Sequence, residues 1–226
     1  MGEAVREYGL GRLPSPPDAR DYSMKAAMVE LGKTAPPRPV KAWHSDRVLN
    51  QLKTPHCVGF AWAGWGISTP VEDDWNNCTG HDIYSRCKQV DGCPEKDGST
   101  VRAGAKVMKQ MGRLGTYFWA GSVDEALDYV SRFGPVVFGT IFTEGMCRPS
   151  LIGGIIRPTG KVVGGHAYDI VGVDEKYATI KQSWGLKHGK GGYVRLSIVD
   201  LEDIYMQGGE ACAATERALP IGGANA

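Results

Sequence analysis

Three residues of this chain have the types that nucleophilic chemistry at a thiol requires: Gln51, Cys57 and His166. Gln51 and Cys57 lie in the segment QLKTPHCVGFAWA, and His166 lies far downstream in GGHAYDIVGVD. A thiol needs a base to form the thiolate, a helix N-terminus to stabilise it and a donor to hold the oxyanion. The sequence offers a candidate for each of these needs.

Each candidate also has an ordinary structural interpretation. A free cysteine is among the most buried residue types, so Cys57 taken alone would be a core residue. Gln51 taken alone would be a polar loop residue. His56 is a rival base, but adjacent side chains that enter a helix point in different directions, which favours His166. Two further histidines are predicted to be solvent-facing loop residues: His44 and His188.

Composition limits the class of protein. The chain has 226 residues, of which 42% are hydrophobic and 23% charged, so it is expected to form one globular domain with a substantial core. Disorder, fibres and coiled coils are disfavoured. The net charge of +1 and the lack of a Lys/Arg-rich cluster make nucleic acid a poor candidate for a partner.

The sequence also disfavours a membrane partner. The start, MGEAVREYGL, lacks the apolar core of a signal peptide, and Arg6 stands where an N-myristoylation signal needs Ser or Thr. No run reaches the roughly 20 apolar residues of a membrane span. We therefore expect a soluble protein, cytoplasmic or associated with a virion.

Proline content divides the chain. We expect an N-terminal arm over residues 1–45, a body over 46–216 and a short tail over 217–226. The arm contains the Pro-rich segments GRLPSPPDARDY and TAPPRPV, and SMKAAMVELG between them can form one helix.

The residue composition of the body changes near its middle. GFAWAGWG predicts a buried helix that starts near Cys57, and HDIYSRCKQ and GSTVRAGAKVMKQMG show helical spacing, the latter with Ser99 as its cap. Ser122 and Glu125 form a predicted capping box for another helix. After Gly134 the runs become β-branched and aromatic, which predicts strands. The result is an α+β protein with two lobes, in which Cys57 at a helix N-terminus faces His166 on a strand.

The remaining cysteines leave alternatives open. Cys78, His81, Cys87 and Cys93 lie close together in the sequence, but no CxxC pair is present, so a zinc site is not favoured. Disulfides and free thiols both stay open for the cysteines other than Cys57. No metal and no cofactor is predicted.

The order of the motifs resembles that of the papain family of cysteine peptidases, in particular its short bacterial and phage-type members without a long propeptide. Gln51 precedes Cys57 as the family's oxyanion glutamine precedes its nucleophile, and GGHAYDIVGVD resembles its histidine strand. IKQSWGLKHGKGGYVRL resembles its asparagine–serine–tryptophan–glycine segment. The resemblance covers about residues 40–215, and its most specific parts are the histidine strand and IKQSWG.

The resemblance implies a fold and an activity. The fold would be papain-like, with a helical lobe, an antiparallel β lobe and a cleft between them. Cys57, as a thiolate paired with imidazolium at His166, would attack a peptide carbonyl, and the Gln51 side chain and the Cys57 N–H would hold the oxyanion. The substrate would be a polypeptide.

Two more positions take roles from the resemblance, and one departs from it. Gln182 stands where the family has an asparagine that orients the histidine, and its extra methylene requires the backbone to sit further back or the ring to tilt. Trp184 would shield the bond between His166 and Gln182 from water. Gly98, in the segment that resembles the cleft wall, would offer backbone hydrogen bonds to an extended substrate. The segment TPHC lacks the family's glycine–serine run and neighbouring cysteine.

Other functions remain open beside an endopeptidase. A papain-fold structural or binding protein, such as a virion component, could have lost catalysis at Gln182. A transglutaminase or a peptidoglycan amidase would use the same Cys–His chemistry. Retention of Gln51, Cys57 and His166 together favours chemistry, and IKQSWG favours the peptidase.

The arm is shorter and richer in proline than the folded propeptides of the family. It can either wrap the body as a strap or lie in the cleft. Because an arm joined directly ahead of the body buries apolar surface at little loop-closure cost, we expect the strap. In that arrangement Leu13, Pro14, Asp18 and Tyr22 would pack on the surface of the body.

Overall fold

The structure is a computed structural model that describes residues 8–30 and 43–216. Within these ranges the chain forms six helices and eight strands. The helices are α1 (Met24–Glu30), α2 (Cys57–Gly66), α3 (Asn77–Val90), α4 (Val101–Gln110), α5 (Val123–Arg132) and α6 (Ile198–Tyr205). The strands are β1 (Arg12–Leu13), β2 (Ser99–Thr100), β3 (Leu114–Trp119), β4 (Val136–Thr143), β5 (Val162–Val173), β6 (Tyr177–Lys181), β7 (Tyr193–Ser197) and β8 (Glu210–Glu216).

Six of the strands form one antiparallel sheet in the order β3-β8-β4-β5-β6-β7. Strand β5 lies inside the sheet between β4 and β6, with His166 opposite Thr140 of β4. The other two strands, β1 and β2, pair in parallel as a small separate sheet. This short pairing joins the N-terminal arm to the segment that precedes α4.

Two hydrophobic cores give the fold its lobes. One core lies between the sheet and helices α1, α5 and α6, and includes Met24, Phe138 and Ile170. The other surrounds α2, whose ten residues are all buried, and packs α2, α3 and α4 together. Strand β5 contributes to both cores, because Ala167 faces α2 while the side chains beside it face the opposite core. The predicted α+β fold with a helical lobe and an antiparallel lobe is confirmed.

Local signals explain where several helices begin. The Ser122 hydroxyl accepts a hydrogen bond from the Glu125 N–H at the start of α5, as the predicted capping box requires. The Glu125 carboxylate completes the cap one residue early, on the N–H of Gly121. At α4 the cap is Thr100, whose hydroxyl accepts from the Ala103 N–H, and not the predicted Ser99.

Part of the predicted domain division can be described. The helix predicted within the arm forms as α1, with Met24 fully buried and Met28 nearly so. The tail, residues 217–226, lies outside the described residues, as do residues 1–7 and 31–42. Among the described helices, none combines the length and apolarity that crossing a membrane requires.

Candidate active site

Cys57 is the first residue of α2 and is fully buried. The turn before it is held by Gln51, whose carbonyl accepts hydrogen bonds from the N–H and the hydroxyl of Thr54. Since the first N–H groups of a helix have no intrahelical partner, the sulfur lies at the positive end of the α2 dipole. The structure thus has Cys57 at a helix N-terminus, as the sequence predicts.

His166 lies on β5 and is fully buried. Its Nε2 is 2.9 Å from Oε1 of Gln182, which follows β6 directly. The amide therefore accepts a hydrogen bond from Nε2–H, and this tautomer leaves the Nδ1 lone pair free to take a proton. Nδ1 itself has no hydrogen-bond partner among the described residues. The longer glutamine side chain is thus accommodated at a normal hydrogen-bond distance.

Aromatic rings enclose the imidazole. Trp184 stacks on His166 with ring centroids 4.5 Å apart, and Phe142 meets the same imidazole edge-on at 4.9 Å. The expected shielding of His166 by Trp184 agrees with this geometry. His188 packs edge-on against Trp184 at 4.7 Å and is 3% exposed. The prediction that His188 faces solvent is therefore wrong, because the indole and Tyr8 cover it.

Both ends of the Gln51 side-chain amide are used. Its Oε1 accepts a hydrogen bond of 2.6 Å from the Ser183 hydroxyl, which fixes the orientation of the amide. Its Nε2 donates to the carbonyls of Thr54, at 2.7 Å, and Gly9, at 3.1 Å. The indole N–H of Trp184 also points at the Gly9 carbonyl, at 3.3 Å. A carbonyl of the N-terminal arm thus occupies the Gln51 side-chain donor, one of the two donors expected for an oxyanion.

The arm segment 8–13 runs through the cleft between the lobes. The Gly9 N–H donates to the carbonyl of Leu52, and the Gly11 N–H donates to the carbonyl of Gly165, the residue before His166. The Gly11 carbonyl accepts from the Ser99 N–H at 2.8 Å. The arm is therefore bonded to both lobes, and the expectation of a strap on the surface is wrong for this segment.

Backbone proximity explains why this segment carries glycine. A Cβ added at Gly9 would lie 1.9 Å from the Thr54 carbonyl oxygen, and one added at Gly11 would lie 2.1 Å from that of Pro55. Neither position can accept a side chain without moving the arm out of the cleft. Further along the arm, Tyr22 is 68% exposed, so it does not pack on the body as predicted.

Gly98 borders the cleft, but its own polar groups point elsewhere. Its N–H donates to the Tyr84 hydroxyl and its carbonyl accepts from Lys88, so the backbone hydrogen bond to the arm comes from Ser99. Gly98 has a φ of +89°, and a Cβ there would lie 2.1 Å from the Gly11 oxygen. The glycine is required for the turn and for the approach of an extended chain.

The electrostatics of this closed state differ from the expected ion pair. Burial raises the pKa of Cys57 to about 11, although the N–H groups of Ala167, Gly11 and Val58 act in the opposite direction. Burial likewise lowers the pKa of His166 to about 3. At neutral pH the thiol and the imidazole are therefore both uncharged while the arm covers them.

The rival base and the candidate metal ligands are accounted for by other contacts. His56 points toward α3, where its Nδ1 is 2.7 Å from Nδ1 of His81 and its ring stacks on Tyr84 at 3.7 Å. This places the His56 side chain away from a role as base for Cys57. All six cysteines are free thiols, and residues 8–30 and 43–216 contain no group of three or more side chains suited to a metal ion.

Comparisons with known proteins agree with this geometry at the level of fold. No family model and no curated protein matches the chain. Xylellain, a cysteine protease from Xylella fastidiosa, superposes with a TM-score of 0.67 at 18% identity, over 93% of this chain and 97% of its own. The proform of the ragweed pollen cysteine protease Amb a 11 gives 0.68 at 15% identity, over 97% of this chain and 78% of its own.

A third solved structure covers less of this chain. The Carica candamarcensis cysteine protease in complex with E-64 gives a TM-score of 0.61 at 16% identity, over 79% of this chain and 99% of its own. All three structures come from the papain family of cysteine proteases. The chain therefore has the papain-like cysteine protease fold, with a helical lobe, an antiparallel β lobe and a cleft between them.

Proposed function

We propose that this chain is a cysteine peptidase that hydrolyses polypeptides with Cys57 as nucleophile and His166 as base. The observation that carries the proposal is the 2.9 Å hydrogen bond from His166 to Gln182 beneath the Trp184 ring, on the strand whose next N–H, that of Ala167, bonds the thiol of Cys57 at the start of a buried helix. A base oriented by a third group beside a thiol is the arrangement that activates such nucleophiles.

The chemistry follows from these positions. In the open cleft, water and the helix N-terminus stabilise the Cys57 thiolate, and His166 carries the proton on Nδ1. The thiolate attacks a peptide carbonyl, and the Gln51 amide and the Cys57 N–H receive the negative charge on oxygen. His166 then protonates the leaving amine, and water releases the acyl group from Cys57.

The described state would be closed to substrate. Residues 8–13 occupy the cleft, and the Gly9 carbonyl takes the Gln51 donor that the reaction would use. The structural match to a proform covers 97% of this chain, whereas the match to an inhibitor complex covers 79%. This difference supports the interpretation that the arm is a segment that covers the cleft. Activity would then require the arm to leave the cleft.

The same backbone groups would hold a substrate. The Gly165 carbonyl and the Ser99 N–H form hydrogen bonds with the backbone of the arm, which is an extended chain. These bonds do not depend on which side chains the bound chain carries. An extended polypeptide from another protein can use the same donors and acceptors by β-augmentation. The arm thus marks the path that a polypeptide substrate would take.

The test is hydrolysis of fluorogenic peptides by full-length protein in which Gly9→Val and Gly11→Val push the arm out of the cleft. We expect turnover at least about tenfold above that of the unaltered chain, because the fraction of open protein limits its apparent activity. Adding Cys57→Ala should abolish it. Gly121→Val is the control, since a Cβ there meets nothing nearer than 3.4 Å. A folded but inactive double variant would contradict the peptidase.

A further inference from the structure

The loop 91–98 leads into β2, the strand that bonds the arm in the cleft. It contains neither helix nor strand, and its residues 94–97 are all exposed. None of the residues 91–98 belongs to either hydrophobic core. Apolar packing therefore does not account for the conformation of this loop, which must be held by polar contacts.

Lys88, in the last turn of α3, supplies these contacts. Its Nζ donates hydrogen bonds of 2.8 Å to the Asp91 carboxylate and to the carbonyls of Cys93, Lys96 and Gly98. An ammonium group has three protons, so four acceptors at this distance satisfy it fully. One side chain thus ties the start, the middle and the end of the loop to α3.

The same ion pair reaches the residue that bonds the arm. The Asp91 side chain has no exposed surface, and its Oδ2 accepts both from Lys88 and from the Ser99 hydroxyl, the latter at 2.9 Å. Its Oδ1 accepts from the Cys93 N–H at 2.9 Å. Ser99 is itself fully buried, and its N–H donates to the Gly11 carbonyl at 2.8 Å. A buried chain of hydrogen bonds therefore connects Lys88 with a backbone donor in the cleft.

Both members of the pair are charged at neutral pH. Burial acts against the charged forms, but the hydrogen bond between them keeps the pKa of Lys88 above its ordinary value and that of Asp91 below it. Without the lysine, the carboxylate would be buried beside no counter-ion, which is strongly unfavourable. Such a carboxylate gains by moving toward water, and Ser99 is bonded to it.

We propose that Lys88 is a positioning residue for polypeptide binding, because it fixes through Asp91 the Ser99 N–H that bonds an extended chain; this role rests on the proposed function. The four hydrogen bonds of Lys88 all end in the loop 91–98, whereas Cys57 and His166 lie on α2 and β5. Loss of Lys88 therefore weakens the binding of an extended chain and leaves the chemical step unchanged.

Affinity for the arm's own sequence tests this role without requiring catalysis. Full-length protein with Cys57→Ala, and with Gly9→Val and Gly11→Val to expel the arm, is titrated with fluorescent YGLGRL, the sequence of the cleft segment. Adding Lys88→Ala should weaken binding about 2- to 10-fold, the range for one hydrogen bond between neutral groups. Adding Lys109→Ala, which removes an exposed lysine of α4, should leave the affinity unchanged.

Chemical rescue distinguishes positioning by the ammonium from general damage to the fold. Propylammonium supplies the carbon and nitrogen atoms that Lys88→Ala removes, so it should restore peptide affinity, whereas 1-propanol, which lacks the charge, should not. Unchanged affinity in the Lys88→Ala protein, or equal effects of amine and alcohol, would overturn the proposal. If Lys88→Ala does not fold, Ser99→Ala, which removes only the hydroxyl on Asp91, should weaken binding, and unchanged affinity there would overturn the proposal.

Turnover separates this proposal from the peptidase. In Gly9→Val and Gly11→Val protein that retains Cys57, Lys88→Ala should raise KM about 2- to 10-fold and leave kcat within about twofold, as expected when only substrate binding is lost. A fall in kcat at unchanged KM would overturn the positioning role and leave the peptidase intact. Weaker peptide binding by the Lys88→Ala protein, with no cleavage of any peptide by any variant, would overturn the peptidase and leave the role of Lys88 in binding.

Discussion

At the scale of single residues, Gln182 is where this chain departs from the pattern it resembles. The extra methylene needs room, and the structure provides it, since Oε1 reaches His166 Nε2 at 2.9 Å and both residues are buried. The backbone after β6 is therefore placed for glutamine. A shorter side chain at this position would fall short of the ring by about one C–C bond, about 1.5 Å.

The first prediction follows from that reach. In the arm-expelled background, Gln182→Ala should lower kcat by about 10- to 100-fold, because His166 loses the group that fixes its tautomer and orientation. Gln182→Asn should fall between the alanine variant and glutamine, although the resemblance alone would favour asparagine. The measurement is kcat and KM for one peptide. Equal kcat for all three side chains would show that position 182 has no part in orienting His166.

Short sequence motifs identified the residues whose types suit them to the proposed chemistry. His166, Gln182 and Trp184 lie together, and Cys57 begins a helix, because each belongs to a short, recognisable segment. His188 was assigned wrongly, since its burial depends on a ring from the distant arm. Local sequence carries no signal for a contact between residues so far apart in the chain.

At the scale of elements, the arm is attached to the body at its cleft segment, at α1 and at a point between them. The segment 8–13 lies in the cleft, while α1 packs into the core of the antiparallel lobe through Met24. Between them, the Asp21 carboxylate makes a bidentate ion pair with Arg102 of α4. The Asp21–Arg102 pair therefore holds the chain to α4 at a point between the cleft segment and α1. The arm therefore combines occlusion of the cleft with a contribution to stability.

The second prediction separates these two roles. Met24→Ala should lower the free energy of unfolding by about 2–5 kcal/mol, the cost of removing a large buried side chain. It should leave peptide turnover near that of the unaltered chain, because the cleft segment keeps its own contacts. Urea unfolding and turnover are measured on the same samples, with the exposed Lys25→Ala as control. A rise in turnover as large as that of the Gly9→Val and Gly11→Val protein would refute independent attachments.

Elements were predictable where the signal is local. The buried run GFAWAGWG gave the start of α2, and Ser122 with Glu125 gave the start of α5. Strand β3 was not predicted from the sequence. It is defined by its pairing with β8, which lies about a hundred residues later in the chain. The course of the arm was misjudged for the same reason. The spacing of Gly9 and Gly11 was the available signal, because glycine permits close backbone approach.

At the scale of the whole molecule, buried neutral histidines couple stability to pH. Burial lowers the pKa of His166 to about 3 and that of His188 to about 4, below the ordinary value of 6.5. Below pH 6.5 the unfolded chain therefore binds protons that the folded chain does not. Stability falls as pH drops from 6.5 toward the folded pKa values, and it is unaffected by these groups above that range.

The third prediction gives this coupling a size. Between pH 7 and pH 5, His166 alone should reduce the free energy of unfolding by about 2 kcal/mol, at about 1.4 kcal/mol for each pH unit below 6.5. Urea unfolding at both pH values measures the loss. In His166→Gln protein the loss should be smaller by that amount, since the substituted side chain does not titrate. An identical loss in both proteins would show that His166 is not the group responsible.

The central claim is that Cys57 is a nucleophile held neutral and covered by the arm. The most direct test is the rate at which a thiol-directed peptide epoxide labels Cys57 from pH 4 to pH 9, read by peptide mass spectrometry. In the unaltered chain Cys57 should label slowly, because burial raises the pKa of its thiol to about 11. In Gly9→Val and Gly11→Val protein, labelling should become fast with an apparent pKa well below the unperturbed value of about 8.5, and the other five cysteines should stay slow. Slow labelling of Cys57 in both proteins, with the fold intact, would contradict the account.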